Sequence, residues 1–427
     1  MDAGGLAGGS PSRRGGVTFD LRVTGLTGIA VKGFLLSLVT FGIYRFWYMT
    51  NLRRFFWSRT VVDGSPGEYT GTGKELFLGF LVALAILVPV YIGLFAVALA
   101  VPQIAPFSAV ISFLFLFVLG QFAIYRGRRY RAMRTLWRGI RLGQDGSGLA
   151  YAAMAAGWWL VTLLTLGLAF PFMRASLERY RIRHTLVGTS RMESSARGTA
   201  ILGPWLLIYA VGLLPLLAVG LAFLAANHFT VPADLFVPKG GGKPGGFGFN
   251  PAYAGTATAT LGIAFVVLAG ICLPAALLLI PFYRARETRA FMAAASLGPV
   301  RLASSLRARQ YYWPYIVYVL TILGFVVLVA VLAAIVGLAA QAAGGSGTHW
   351  ALTIGGITLY LGGALIFTVL QVRLIQARLW AAVATSTVIL DADALNRVLA
   401  SAQGPGSGLN EGLADALDVG GALQIGF

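Results

Sequence analysis

Leu38-Val39-Thr40-Phe41-Gly42-Ile43 and Leu163-Leu164-Thr165-Leu166-Gly167-Leu168 are one phrase written twice, 125 residues apart. The correspondence runs on through Asn51-Leu52-Arg53-Arg54-Phe55 and Ser176-Leu177-Glu178-Arg179-Tyr180, then Thr60 and Thr185. Copies bury the same faces, so both phrases should sit in the same way against a membrane. The first lies in an apolar run, 33–44, bracketed by Lys32 and Arg45 and only 12 residues long. Crossing a bilayer takes ~20. The second run, 149–173, is long enough but is broken by Gly157, Gly167 and Pro171. A looser copy of the flanking element is Arg129-Tyr130 with Arg134-Thr135, and Arg289 after Pro281-Phe282 reads as a worn fourth.

Around these phrases lie six uncharged apolar runs that can span: 76–101, 104–125, 201–226, 257–283, 313–342 and 350–372. Of the 427 residues, 57% are hydrophobic and only 11% charged, and mean hydropathy is +0.78. That is about half the charged share of a soluble domain. A soluble enzyme, a disordered chain and a fibre are excluded.

Charge then decides the topology. Thirty-three basic residues against 15 acidic give +18. If all eight apolar segments crossed, the arginine-rich loops 126–148 and 174–200 would face opposite sides, against the positive-inside rule. If the two repeated segments enter and leave on one side, only Lys239 and Lys243 lie opposite all the other basic residues. The expected fold is therefore all-α: a polytopic membrane protein with six transmembrane helices plus two repeated re-entrant or in-plane segments. Both termini are expected in the cytoplasm. The expected division is a disordered tail (1–18), a membrane domain (19–390) and an acidic cytoplasmic tail (391–427).

The chemistry-bearing motifs are few. Cys272 is the only cysteine, and its plain reading is a small buried apolar residue. His184, His228 and His349 have no metal-ligand spacing, so no metal or cofactor is expected. Gly71-Thr72-Gly73-Lys74-Glu75 lacks the first glycine and final Ser/Thr of a phosphate loop, and reads instead as a helix cap. Gly240–Gly246 reads as an exterior linker. Asp63, Glu68, Glu178 and Glu193 are the acids on the cytoplasmic side that an enzyme could draw on, and no nucleophile–base set assembles around them.

The strongest local signal is an arginine beside an aromatic ring just past an apolar run: Arg54-Phe55, Arg129-Tyr130 and Arg179-Tyr180. The plain reading is an interface anchor, ring at the headgroups and guanidinium toward phosphate. The sharper reading is a contact with anionic lipid. Nucleic acid is disfavoured because the charge is spread over loops between spans.

At Leu38–Trp47, Tyr69–Phe77, Thr135–Arg141 and Glu411–Asp418 the sequence resembles the DUF898 (YjgN-like) family of bacterial inner-membrane proteins. The resemblance implies a multi-pass protein of uncharacterised function and brings no catalytic residue with it. Two functional expectations follow. The first is a non-enzymatic, transporter- or channel-like protein, because re-entrant backbone often lines a pathway. The second is a structural or anionic-lipid-interacting protein without transport.

Overall fold

The computed structural model describes residues 13–101, 103, 105–238, 247–343 and 348–400. Five times the chain leaves a short strand, runs out along helix, returns along helix and enters another short strand. The first unit is β1 (Gly15–Phe19), α1 (Leu26–Val39), α2 (Arg45–Ser58) and β2 (Thr60–Val62). The second is β3 (Ser65–Tyr69), α3 (Gly73–Ala100), α4 (Ser108–Met133) and β4 (Thr135–Trp137). The third is β5 (Ile140–Gln144), α5 (Gly148–Leu164), α6 (Phe170–Arg183) and β6 (Thr185–Val187). The fourth starts with β7 (Ser190–Arg191) and β8 (Glu193–Ser194), then α7 (Thr199–Gly212) and α8 (Leu214–Ala226). A small outlying hairpin, β9 (Phe236–Pro238) and β10 (Phe247–Phe249), precedes its return through α9 (Ala257–Ala293) to β11 (Ala295–Leu297). The fifth is β12 (Val300–Ser304), α10 (Ala308–Ala343), α11 (Thr348–Leu370), a wide turn of helix (Gln371–Gln376), α12 (Ala377–Ser386) and β13 (Thr387–Leu390).

Within each unit the first and last strands pair antiparallel and close the helical hairpin at its base. Val17 faces Val62, Glu68 faces Leu136, Gly143 faces Leu186, Ser194 faces Ala295 and Ala303 faces Val388. Two-residue turns join successive units. At Asp63-Gly64 and Arg138-Gly139 both residues have positive φ, the geometry that matches strand twist in a tight hairpin. The fifth junction is not covalent: Gly15 of β1 faces Ile389 of β13. β7 pairs with β6, β8 pairs with β11, and Met192 alone separates them, so the eleven-stranded sheet closes into a ring. Only the outer sides of the two-residue β7 and β8 are left unpaired, which is what makes strands of two to five residues tenable.

This ring corrects the all-α expectation. Each strand is too short to show alternation in the sequence, and every one owes its existence to a partner from a distant helix end. Of the expected disordered tail over 1–18, residues 15–18 belong to β1, whose Gly15 and Phe19 are buried, and residues 1–12 lie outside the described residues. The expected acidic tail is described as far as residue 400, and Glu411–Asp418 lie outside the described residues.

The helices follow local chemistry. Thr72 caps α3 by accepting from the Glu75 amide at 3.3 Å, as expected, while the Glu75 carboxylate turns away to the Tyr130 hydroxyl (2.7 Å) and Arg134 (2.9 Å). Thr60, Thr135, Thr185 and Thr387 each donate to the carbonyl four residues back, tying off helix ends that would otherwise leave bare acceptors.

α1–α2 and α5–α6 turn over in the same way. Phe41 and Leu166 have φ of 50° and 51°, Gly42 and Gly167 of 88° and 94°. The Gly42 amide donates to Ser37 at 2.6 Å and the Gly167 amide to Thr162 at 2.7 Å. At 14 and 17 residues, α1 and α5 reach only about 21 and 25 Å, short of a ~30 Å hydrocarbon core. Five helices are long and apolar enough to cross: α3, α4, α9, α10 and the continuous stretch Gly355–Ser386. The pair α7–α8, bent by 43°, makes up to six. Neighbouring units touch through α2–α3, α4–α5, α6–α7, α9–α10 and α1–α11, so the helical hairpins also form a circle above the strands. The packing is open. No more than 11% of any single-helix apolar window is buried within the protein, and for α10 the figure is 0%.

Candidate functional site

The interior of the strand ring is a cavity of about 370 Å³. Its wall is apolar: Val62, Leu136, Leu142, Val187, Met192, Leu297, Val300, Leu302 and Ile389, with Trp57, Trp137 and Trp380. The indole N–H groups are turned into the wall. Trp57 donates to the Thr135 hydroxyl (2.9 Å), Trp380 to the Thr60 hydroxyl (2.8 Å) and Trp137 to the Val62 carbonyl (3.1 Å). Ring faces are left to line the space.

The two ends of the cavity differ. At the hairpin-turn end the chain after β13 lies across the opening. Residues Ala392–Arg397 form a short helical turn whose Leu395 enters the lining, and Arg138 donates to Asn396 at 2.9 Å. Beyond it the Leu399 carbonyl accepts from the Thr189 amide at 3.1 Å. At the helix end stand Arg128 and Arg131, one turn apart on α4, at the level of Thr60, Thr135 and Thr185.

Those arginines belong to a charged layer between strands and helices. Arg174 of α6 meets Glu287 of α9 at 2.6 Å, and Arg284 meets the same carboxylate at 3.0 Å. Glu178 pairs with Arg181 at 3.3 Å. Burial alone would raise the Glu178 carboxyl. The guanidiniums of Arg181, Arg128 and Arg174 outweigh that and hold it below the usual carboxylate range. Glu178 is the acid acting on Arg128, with Arg181 and Arg131 adding like charge. The cavity mouth is therefore positive.

The arginine–aromatic pairs singled out in the sequence are scattered round the ring. Arg54 donates to the Gly71 carbonyl (2.8 Å) and Arg179 to the Ala196 carbonyl (2.7 Å), each 17 residues further on. Both thus fasten a returning helix to the start of the next unit. Phe55 is buried against Phe19 and Phe56, under the Arg59 guanidinium at 4.5 Å. Tyr130 is 1% exposed and holds Glu75. Tyr180 stacks on His184 with centroids 4.3 Å apart and donates to the Ser147 carbonyl at 2.9 Å; burial pushes its phenol up, which keeps that donor protonated. Arg129 lies on α4, half-buried. The cavity itself is almost silent in the sequence. Asp63-Gly64 between two β-branched or small runs was its one local signal, a two-residue hairpin turn.

A family model described as "Bacterial protein of unknown function (DUF898)" matches residues 15–416. Inner membrane protein YjgN of Escherichia coli O157:H7 is 28% identical over 141 residues, which is 33% of this chain and 32% of that relative. The protein of the same name from Salmonella typhimurium is 28% identical over 137 residues, 32% of this chain and 31% of the relative. These matches span about a third of the length of the curated relatives. No solved structure matches.

Proposed function

This chain belongs to the DUF898 family, and from that premise we propose that it is a non-enzymatic, multi-pass inner-membrane protein that holds anionic lipid between its helical hairpins. In this reading α3, α4, α7–α8, α9, α10 and the α11–α12 stretch make six crossings. The α1–α2 and α5–α6 hairpins are re-entrant copies of one internal repeat, and the strand ring and both termini face the cytoplasm. The relatives' names support the location. The shared turn geometry and the exposed apolar tips at Phe41 and Leu166 support the re-entrant assignment.

One observation carries the lipid reading. The long hairpins stand with their apolar sides uncovered, beside two hairpins too short to fill the layer, directly above a belt of arginines. Acyl chains fill such apolar gaps, and anionic headgroups then meet the guanidiniums. A transporter- or channel-like role is the second reading, favoured by the circular arrangement of hairpins about one axis. Against a polar solute, the spans offer chiefly Gln121, Tyr209 and Gln371 as polar groups.

Native mass spectrometry of protein purified from mixed-lipid nanodiscs tests the proposal. Anionic lipid should be retained over zwitterionic lipid, and less so after combined Arg54→Gln, Arg129→Gln and Arg179→Gln substitution. Equal retention of the two classes in the wild type would sink it.

A further inference from the structure

The ring cavity is a site apart from the bilayer-facing clefts, and its two ends specify what fits. It is closed at the hairpin-turn end by Leu395 and the chain that follows, and basic at the helix end through Arg128 and Arg131. Between them the wall is apolar, because the hydroxyls of Thr60, Thr135 and Thr185 already serve helix carbonyls and the tryptophan N–H groups are engaged. At about 370 Å³ it falls within the ~300–1,000 Å³ of ligand pockets. A polar solute would lose its hydration there without replacement hydrogen bonds. A dry cavity of this size forfeits packing contacts on every side. The cavity mouth adds a second demand. Arg128 forms no ion pair of its own among the described residues, and the one acid acting on it, Glu178, is held by Arg181. A cation removed from water without a partner is costly, and an anion seated at the mouth relieves that cost.

We propose that the strand ring binds an amphiphilic anion, with an acyl chain or apolar body of similar bulk in the lumen and a carboxylate or phosphate head against Arg128 and Arg131. The ligand can reach the mouth from the bilayer as a phospholipid chain or from solution as a free acid. The chemistry of the site is the same for both.

Bromine on the tail of such a ligand would lie against Trp57, Trp137 and Trp380 and quench them. The test uses the full chain in neutral maltoside detergent, titrated with 12-bromododecanoic acid, its methyl ester and the tail-brominated dodecylammonium. The acid should quench saturably, with the ester and the ammonium at least about tenfold weaker. Arg128→Gln should weaken the acid by about the same factor and leave the ester unchanged. Trp57→Phe and Trp380→Phe should each lower the saturable amplitude. Solvent extraction of the purified protein identifies the source: a released phospholipid points to the bilayer, a released free acid to solution. Quenching that never saturates, or equal quenching by acid and ester, overturns the proposal. So does wild-type affinity in the Arg128→Gln variant. The comparison of acid with ester needs no variant, so a misfolded substitution does not blunt it. Loss of perimeter lipid selectivity in native mass spectrometry would leave this result standing, and the reverse holds as well.

Discussion

Glu287 offers the sharpest test of the charged layer. Its side chain is 4% exposed and receives Arg174 at 2.6 Å and Arg284 at 3.0 Å, with the Tyr283 hydroxyl at 3.4 Å. Arg174 sits on α6 and Glu287 on α9, so this pair links the third and fourth units at the level where strands meet helices. Replacing Glu287 by Met removes the ion-pair partner of the part-buried Arg174 and leaves Glu178 as the one carboxylate still acting on it. Breaking a buried pair costs about 3–5 kcal/mol, and the remaining Glu178 keeps the expected figure at the low end. Arg284 is about half exposed and water will serve it, so its share is screened and small. We expect about 3 kcal/mol for Glu287→Met. At ~2–4 °C per kcal/mol that is a fall of about 6–12 °C in the apparent unfolding midpoint. Unfolding in detergent is commonly irreversible, so scan rate must be held constant. The companion variant is Glu287→Met with Arg174→Met. Removing both charges abolishes the ion left without its pair partner, and packed apolar groups can replace a buried pair with little loss. The double variant should therefore recover more than half of the deficit. If Glu287→Met melts with the wild type, or if the double variant falls by the sum of the singles, the layer is not held by this pair and the reasoning fails.

Other outcomes follow from the same structure. At Gly188 an added Cβ would lie 1.9 Å from the Leu399 carbonyl oxygen, at a φ of +59° that disfavours side chains; Gly188→Ala should free the segment after residue 391 and speed its cleavage in limited proteolysis. Gly198→Ala would press a methyl group to 2.8 Å from the Phe172 backbone and should lower the unfolding midpoint more than Gly203→Ala, where the added atom meets nothing within 4 Å. Glu178 has its folded pKa below the unfolded value of ~4.3, so its contribution is full above that pH and is lost as pH falls below it. Midpoints measured from pH 6 to pH 3 should drop, and Glu178→Gln should flatten that slope. In a Cys272→Ala background, Ser195→Cys should resist an impermeant thiol reagent added outside intact cells and Thr230→Cys should react; the opposite pattern refutes the proposed orientation.

The two phrases at 38–43 and 163–168 made the short hairpins legible, because Gly42 and Gly167 are demanded by local backbone geometry and twelve apolar residues cannot cross a bilayer. The cap at Thr72 was legible for the same reason, as its partner is three residues away. The arginine–aromatic pairs were legible as a pattern and not as a role. Arg54 and Arg179 each give one guanidinium N–H to Gly71 and Ala196, carbonyls that only the folded chain brings near.

By itself the sequence determined what water and lipid act on one residue at a time: where apolar length suffices to cross, where a turn must fall, and which loops carry charge. The strand ring belongs to the tertiary structure alone. Thr387–Leu390 finds Gly15–Phe19 across almost the whole chain, and Glu193–Ser194 finds Ala295–Leu297 a hundred residues away. Strands this short gain their hydrogen bonds only when the ring closes, so no local preference records them. The cavity they enclose, with Arg128 at its mouth, exists only once all five units have met.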